Sequence, residues 1–308
     1  YELGAAMAPY SSVSRLFRRH PAIGWSRPYH SMIDDSVKGL LEEEPQWRIA
    51  DCSEPAILHD GYRPELLAGT DKANRLRQAM QDELDASPGN PYANAKLGGL
   101  LISEGRHEEA IPLLRRGLEQ EGMQDAERYE LLVHLGLAIT PSDPVGAIAY
   151  YREALAIPLD TRISLGARLN LAARLMEQGD LEEAISLTQT ATQRAPEVAL
   201  GWYNLGLMQR RRGDIGSALE AYRRALSLDP DNAECHQNNA VALLMGGDIE
   251  GARNGFRTAV RLLQDQGRSQ EASTLRDKAS AIVKLDAEPV AVSYTHLRAH
   301  ETGRNGVL

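Results

Sequence analysis

Three asparagines, Asn170, Asn204 and Asn238, follow one another at steps of 34 residues, each inside a stretch with helical patterning. A side-chain amide carries both a donor and an acceptor, so it can bond a peptide unit without reading the side chain attached to it. Each such bond contributes only about 1 kcal/mol net, so holding an extended chain takes several in register. Tyr203 precedes the middle asparagine, and Arg210 and Arg211 follow it on the same helical stretch. They offer an apolar contact and positive charge for an acidic ligand. The same residues also have a plainer use. Asparagine bonds neighbouring helices, and Arg210, Arg211 and Arg212 suit a solvated helix end where cations meet the C-terminal dipole. Both readings stand at this level.

Other chemistry is sparse. Cys52 and Cys235 lie far apart in unlike segments, which suits two small buried apolar residues better than a disulfide or zinc set. No phosphate loop, Ser/His/Asp set or strip of base-stacking aromatics occurs. The 308 residues carry a net charge of −9, and an acidic balance argues against sequence-independent binding to nucleic acid. No run of about 18 apolar residues occurs, so no membrane span is expected in this segment.

The elements that must position the asparagines repeat with them. Gly-Asp-x-x-x-Ala recurs with its alanines at 184, 218 and 252, again 34 residues apart. Ala172, Gly206 and Ala240 share one position, Thr188, Tyr222 and Phe256 another, then Ala191, Ala225 and Ala259. Pro196 and Pro230 close two units. Two looser copies precede them, around Gly98 with Ala110 and Gly136 with Ala147, their alanines 37 apart. Each unit carries two amphipathic stretches with apolar residues at helical spacing. Small residues midway along both let the backbones approach, and Gly-Asp makes the tight turn between them. One unit cannot bury its apolar face alone, so stacking must supply the core.

This pattern resembles the tetratricopeptide (TPR) repeat, whose period is 34. The resemblance implies an all-α fold in the main, a right-handed α-solenoid of helix pairs. It also implies that Asn170, Asn204 and Asn238 face a concave groove, like asparagine ladders that hold an extended peptide. Lys96 and His134 take the corresponding place in the two earlier units, so the ladder does not reach them. The implied partner is a protein or peptide.

Residues 1–66 do not repeat. Val13–Phe17, Ala22–Trp25 and Ala56–His59 alternate like short strands, and Glu42, Glu43 and Glu44 read as solvated loop. Asp34 and Asp35 are expected on an extended segment, their side chains pointing apart. Arg15-Leu-Phe-Arg18 through Trp25, Tyr29-His30, Ile57-Leu-His59-Asp-Gly-Tyr62 and Lys72-Ala-Asn-Arg75 together resemble the end of a family 2 glycosyltransferase domain. That resemblance implies a small α/β or β remnant of a GT-A domain before the repeats. The parent protein would use a nucleotide-sugar donor and a divalent metal bound upstream of Tyr1; no cofactor is expected in this stretch. His30 is a candidate metal or phosphate contact, with a strand-end histidine as the plainer reading; Ser31 stands where the family has Glu. His59 is a candidate contact at the site, with packing at the junction with the repeats as the plainer reading.

The expected organisation is therefore 1–66 transferase remnant, 67–90 a linking half repeat, 91–266 five TPR-like units and 267–286 a capping helix. Val292–Thr302 reads like a translated sequencing adapter, so 287–308 is set aside as a non-native tail. The absence of an initiator Met at Tyr1 suggests that the true N-terminus lies upstream, in a bacterial protein expected in the cytoplasm. The alternative is a non-catalytic TPR scaffold whose first 66 residues merely cap the solenoid.

Overall fold

The computed structural model describes residues 18–26, 33–50, 71–160 and 162–285. Among these, thirteen α-helices and no strand occur. Helix α1 spans Asp34–Glu43 and α2 spans Lys72–Ala86. Five antiparallel pairs follow: α3 and α4 (Pro91–Ser103, His107–Leu118), α5 and α6 (Asp125–Ile139, Pro144–Ala156), α7 and α8 (Leu165–Gln178, Leu181–Arg194), α9 and α10 (Ala199–Arg212, Ile215–Leu228), then α11 and α12 (Ala233–Met245, Ile249–Asp265). Helix α13, Ser269–Val283, comes last. The chain divides into two compact units at Pro230/Asp231. In the first, each helix from α2 to α10 packs on the next in sequence. In the second, α12 packs between α11 and α13.

The repeated Gly-Asp dipeptide explains the pairing. Gly179, Gly213 and Gly247 take φ of 97°, 90° and 87°, the left-handed region that glycine enters without a Cβ penalty. The following amide then turns back on the helix just ended. Asp180 N–H reaches the Leu175 carbonyl at 2.9 Å, Asp214 that of Gln209 at 3.0 Å, and Asp248 that of Leu243 at 2.9 Å. These bonds satisfy carbonyls that a helix end leaves orphaned. Two of the aspartates then start the next helix. Asp214 accepts from Ser217 N–H at 3.1 Å and Asp248 from Gly251 N–H at 2.8 Å. One dipeptide thus closes one helix and opens its partner.

That cap predicts an acid response. Hydrogen bonds from the Ser217 backbone amide, then from its hydroxyl, hold the Asp214 carboxyl below the usual carboxylate range. A depressed folded-state pKa adds stability that is complete above the unfolded value and lost as pH falls through the folded one. Asp214→Asn keeps an acceptor but no titrating group. Its melting temperature is expected to fall less than the wild type's on acidification from neutrality to below about pH 4, the ordinary carboxylate range. Equal falls in thermal melts would refute the assignment.

Packing follows the small-residue register. A Cβ built on Gly136 would lie 2.7 Å from the Tyr151 ring, and one on Gly206 would lie 2.5 Å from the Tyr222 ring. Both tyrosines are fully buried. The first unit's core runs from Met80 and Leu84 on α2 to Met208 and Ala221 on α9 and α10. The second unit has its own core around Phe256, Leu263 and Leu275.

The first 66 residues depart from expectation. Ala22 sits in a turn and Ile23–Trp25 is irregular rather than a strand. Val13–Phe17 and Ala56–His59 lie outside the described residues. Asp34 and Asp35 form the first turn of α1, where negative charge complements the helix dipole; Ile33 and Leu40 bury its apolar side. Glu42 and Glu43 close that helix and are not loop. Glu44 follows it, accepting from Trp47 Nε1 at 2.8 Å, with His20 Nε2 at 3.5 Å. No α/β or β remnant of a transferase appears among the described residues.

Candidate functional site

Asn170 lies on α7 and Asn204 on α9, neighbouring first helices that touch within the first unit. Flanking leucines place them. Leu169, Leu171 and Leu205 are buried, which leaves each asparagine half-buried at the edge of the core. Neither side-chain amide makes a hydrogen bond among the described residues. Tyr203 is also half-buried, its ring 6.3 Å from that of Tyr222 and tilted by 49°. Arg210 and Arg211 occupy the last turn of α9, Arg210 half-buried and Arg211 exposed. Arg212 is tied down, donating to Gln209 Oε1 at 2.6 Å and pairing with Glu182 at 3.5 Å and Asp214 at 3.3 Å. The first unit therefore brings two of the three asparagines onto adjacent helices, with Tyr203, Arg210 and Arg211 beside the second.

Asn238 stands at the same position of α11, in the second unit. Its amide donates to the Glu234 carbonyl one turn earlier at 2.9 Å. That bond is the helix-internal use of an asparagine, and it occupies one of the amide's two N–H groups. The corresponding positions of the two earlier pairs are engaged otherwise. Lys96 Nζ pairs with Glu130 at 2.5 Å and lies 5.4 Å from the Tyr92 ring centroid. His134 Nδ1 sits 3.1 Å from the Ala95 carbonyl, its ring against Gly99.

His30, His59 and Cys52 lie outside the described residues. Cys235 is 1% exposed on α11, as a small apolar residue would be. Among the described residues no group of three or more His, Cys, Asp or Glu could hold a metal. No described helix is long and apolar enough to cross a membrane.

Two clefts escaped the sequence. One, of about 270 Å³, is lined by Asp35, Glu83 and Glu127 with Asn90 and Tyr92. Its carboxylates have partners: Asp35 accepts from Ser26 at 2.6 Å, Glu83 from Asn90 at 2.7 Å, and Glu127 from the Gln124 amide at 3.3 Å. The other lies between α11 and α13. Neither could be found by periodicity, because each joins residues from helices distant in sequence.

The profile of the tetratricopeptide repeat family matches residues 169–233, and a second profile of that family matches residues 209–279. Residues 169–279 carry tetratricopeptide repeats. The asparagines at 170, 204 and 238 all fall within them. A TPR repeat-containing protein of Synechococcus elongatus is 40% identical over 196 residues, covering 63% of this chain. The chain spans about half (49%) of that relative's length. Among solved structures, MamA aligns with 22% identity and a TM-score of 0.48 over 56% of this chain and 97% of its own. YrrB, described as a TPR protein with an unusual peptide-binding site, aligns with 16% identity and a TM-score of 0.48 over 64% of this chain and 98% of its own.

Proposed function

We propose that the tetratricopeptide repeats bind an extended peptide segment of a partner protein, with the amides of Asn170 and Asn204 bonding its backbone. The observation that carries this reading is the pair Asn170 and Asn204. They hold the same position on touching helices, half-buried, with amides that no hydrogen bond among the described residues occupies. A half-buried amide with no protein partner is left to water, and a ligand's peptide unit replaces that water bond for bond. Tyr203 would cover an apolar side chain of the ligand. Arg210 and Arg211 would favour acidic residues near it, an attraction weakened by salt because Arg211 is exposed.

The test is a random peptide library panned on the full chain, followed by fluorescence anisotropy with the recovered peptide. The double variant Asn170→Ala, Asn204→Ala is expected to keep its helicity and weaken binding at least tenfold, the scale of one to two net hydrogen bonds. Unchanged affinity would remove the idea, as would a library that yields no binder.

A finer reading attaches these repeats to a family 2 glycosyltransferase domain that uses a nucleotide sugar and a divalent metal. It is favoured by the order of the four segments from Arg15 to Arg75, and by nothing else. The coding region upstream of Tyr1 decides it. A βα region with Asp-x-Asp would support the transferase, and a start codon directly before Tyr1 would leave the non-catalytic scaffold.

A further inference from the structure

In the second unit, α11 and α13 flank a cleft of about 280 Å³ whose floor is Leu263 and Leu275. Both leucines belong to that unit's core, 4% and 7% exposed. The walls are polar and unevenly charged. At one end Arg268 pairs with Glu234 at 2.6 Å and with Glu271 at 2.7 Å. Two carboxylates thus share one guanidinium, which leaves a net negative charge there, and Arg268 holds the Glu271 carboxyl below its usual range. At the other end stands Lys278, exposed and in no ion pair among the described residues. Gln237 on α11 and Gln270, beside Glu271 on α13, also line the walls, and neither side-chain amide makes a hydrogen bond among the described residues. From Gln270 to Lys278 the helix rises about 12 Å, the span of three to four residues of extended chain.

A helix that only sealed the end of a repeat array would present a uniformly solvated outer face. This one turns an apolar floor, an amide and a lysine toward its neighbour. We propose that α11 and α13 form a terminal peptide subsite: an aliphatic residue sits on Leu263 and Leu275, with a basic residue to one side beside Glu234 and Glu271 and an acidic residue to the other beside Lys278. The glutamine amides bond the peptide backbone. This rests on the peptide-binding reading of the repeats but on different residues, so the two can fail separately.

The probes are short fluorescein-labelled peptides, acetylated and amidated at their ends, with the cores Lys-Leu-Ser-Asp, Lys-Leu-Ser-Lys and Lys-Gly-Ser-Asp. Fluorescence anisotropy on the full chain is expected to rank the first above the other two by about tenfold, the scale of one charge-assisted contact or one buried aliphatic side chain. Lys278→Glu is expected to reverse the order of the first two. Thr274→Trp, an exposed position on the cleft wall, is expected to abolish binding while circular dichroism stays unchanged. Neither Lys278 nor Thr274 belongs to the asparagine face, so the effects of these two substitutions separate this subsite from that reading. Equal affinity for all three peptides would overturn the proposal. So would retained binding by Thr274→Trp, or no binding up to about 1 mM, a free energy of only about 4 kcal/mol.

Discussion

Tyr151→Ala is expected to lower the unfolding free energy by about 3–5 kcal/mol, the range for deleting a large buried aromatic side chain. The ring is 1% exposed and closes against Gly136, where a Cβ would stand 2.7 Å away. Gly136 is the narrow point of α5, and α6 can approach there only because no side chain intervenes. The ring fills the space that this approach leaves, so its removal opens a void that close-packed neighbours cannot collapse to fill. Tyr150, one residue earlier and half-buried, is the internal control; its replacement by Ala should cost clearly less. Urea unfolding followed by circular dichroism gives the size of the loss, and hydrogen exchange places it. Because repeats are stabilised mainly by nearest neighbours, α5 and α6 should lose protection first. A loss below about 1 kcal/mol would mean that the small-residue and aromatic register is a family habit with little energetic weight here.

The turns and the asparagine positions were legible because both belong to a pattern that repeats every 34 residues. A single Gly-Asp is weak, but three in register, each with a small residue and an aromatic or threonine at fixed distances, leave few alternatives to paired helices. Helix α1 was missed because it does not repeat. Ile33, Val37 and Leu40 have helical spacing, yet a ten-residue segment beside alternating stretches reads equally well as irregular. What no pattern could show is contact between distant positions. Lys96 finds Glu130, 34 residues away, so the position that holds asparagine in later units serves an ion pair there. The cleft on α13 was invisible for the same reason: a polar helix at the end of an array looks like a lid until its neighbour's residues are placed opposite it.

The end of α13 depends on two arginines from the helix before it, which leads to a second large effect. Arg253 is 9% exposed, and its Nε donates to the Val283 carbonyl at 2.8 Å. Arg257 Nε donates to the Leu285 carbonyl at 2.7 Å. A helix leaves its last carbonyls unbonded, and a guanidinium at that end both bonds them and meets the negative pole of the dipole. Here α12 supplies those donors, with Lys284 in the left-handed region at φ 49°. Arg253→Ala removes the donor from a buried carbonyl, which costs about 1–3 kcal/mol, and strips an aliphatic stem worth about 0.8 kcal/mol per buried methylene. The expected total is a loss of about 2–4 kcal/mol in unfolding the second unit, with faster hydrogen exchange along α13. Arg253→Met restores the stem but not the donor, so it should recover part of the stability and leave the exchange at Val283 and beyond fast. If the methionine variant matches the wild type in both measurements, α13 is held by its apolar face alone. The peptide subsite would then have to form on a helix whose C-terminal end is unanchored, and the Lys278 end of the cleft should be the first to lose its preference for an acidic residue.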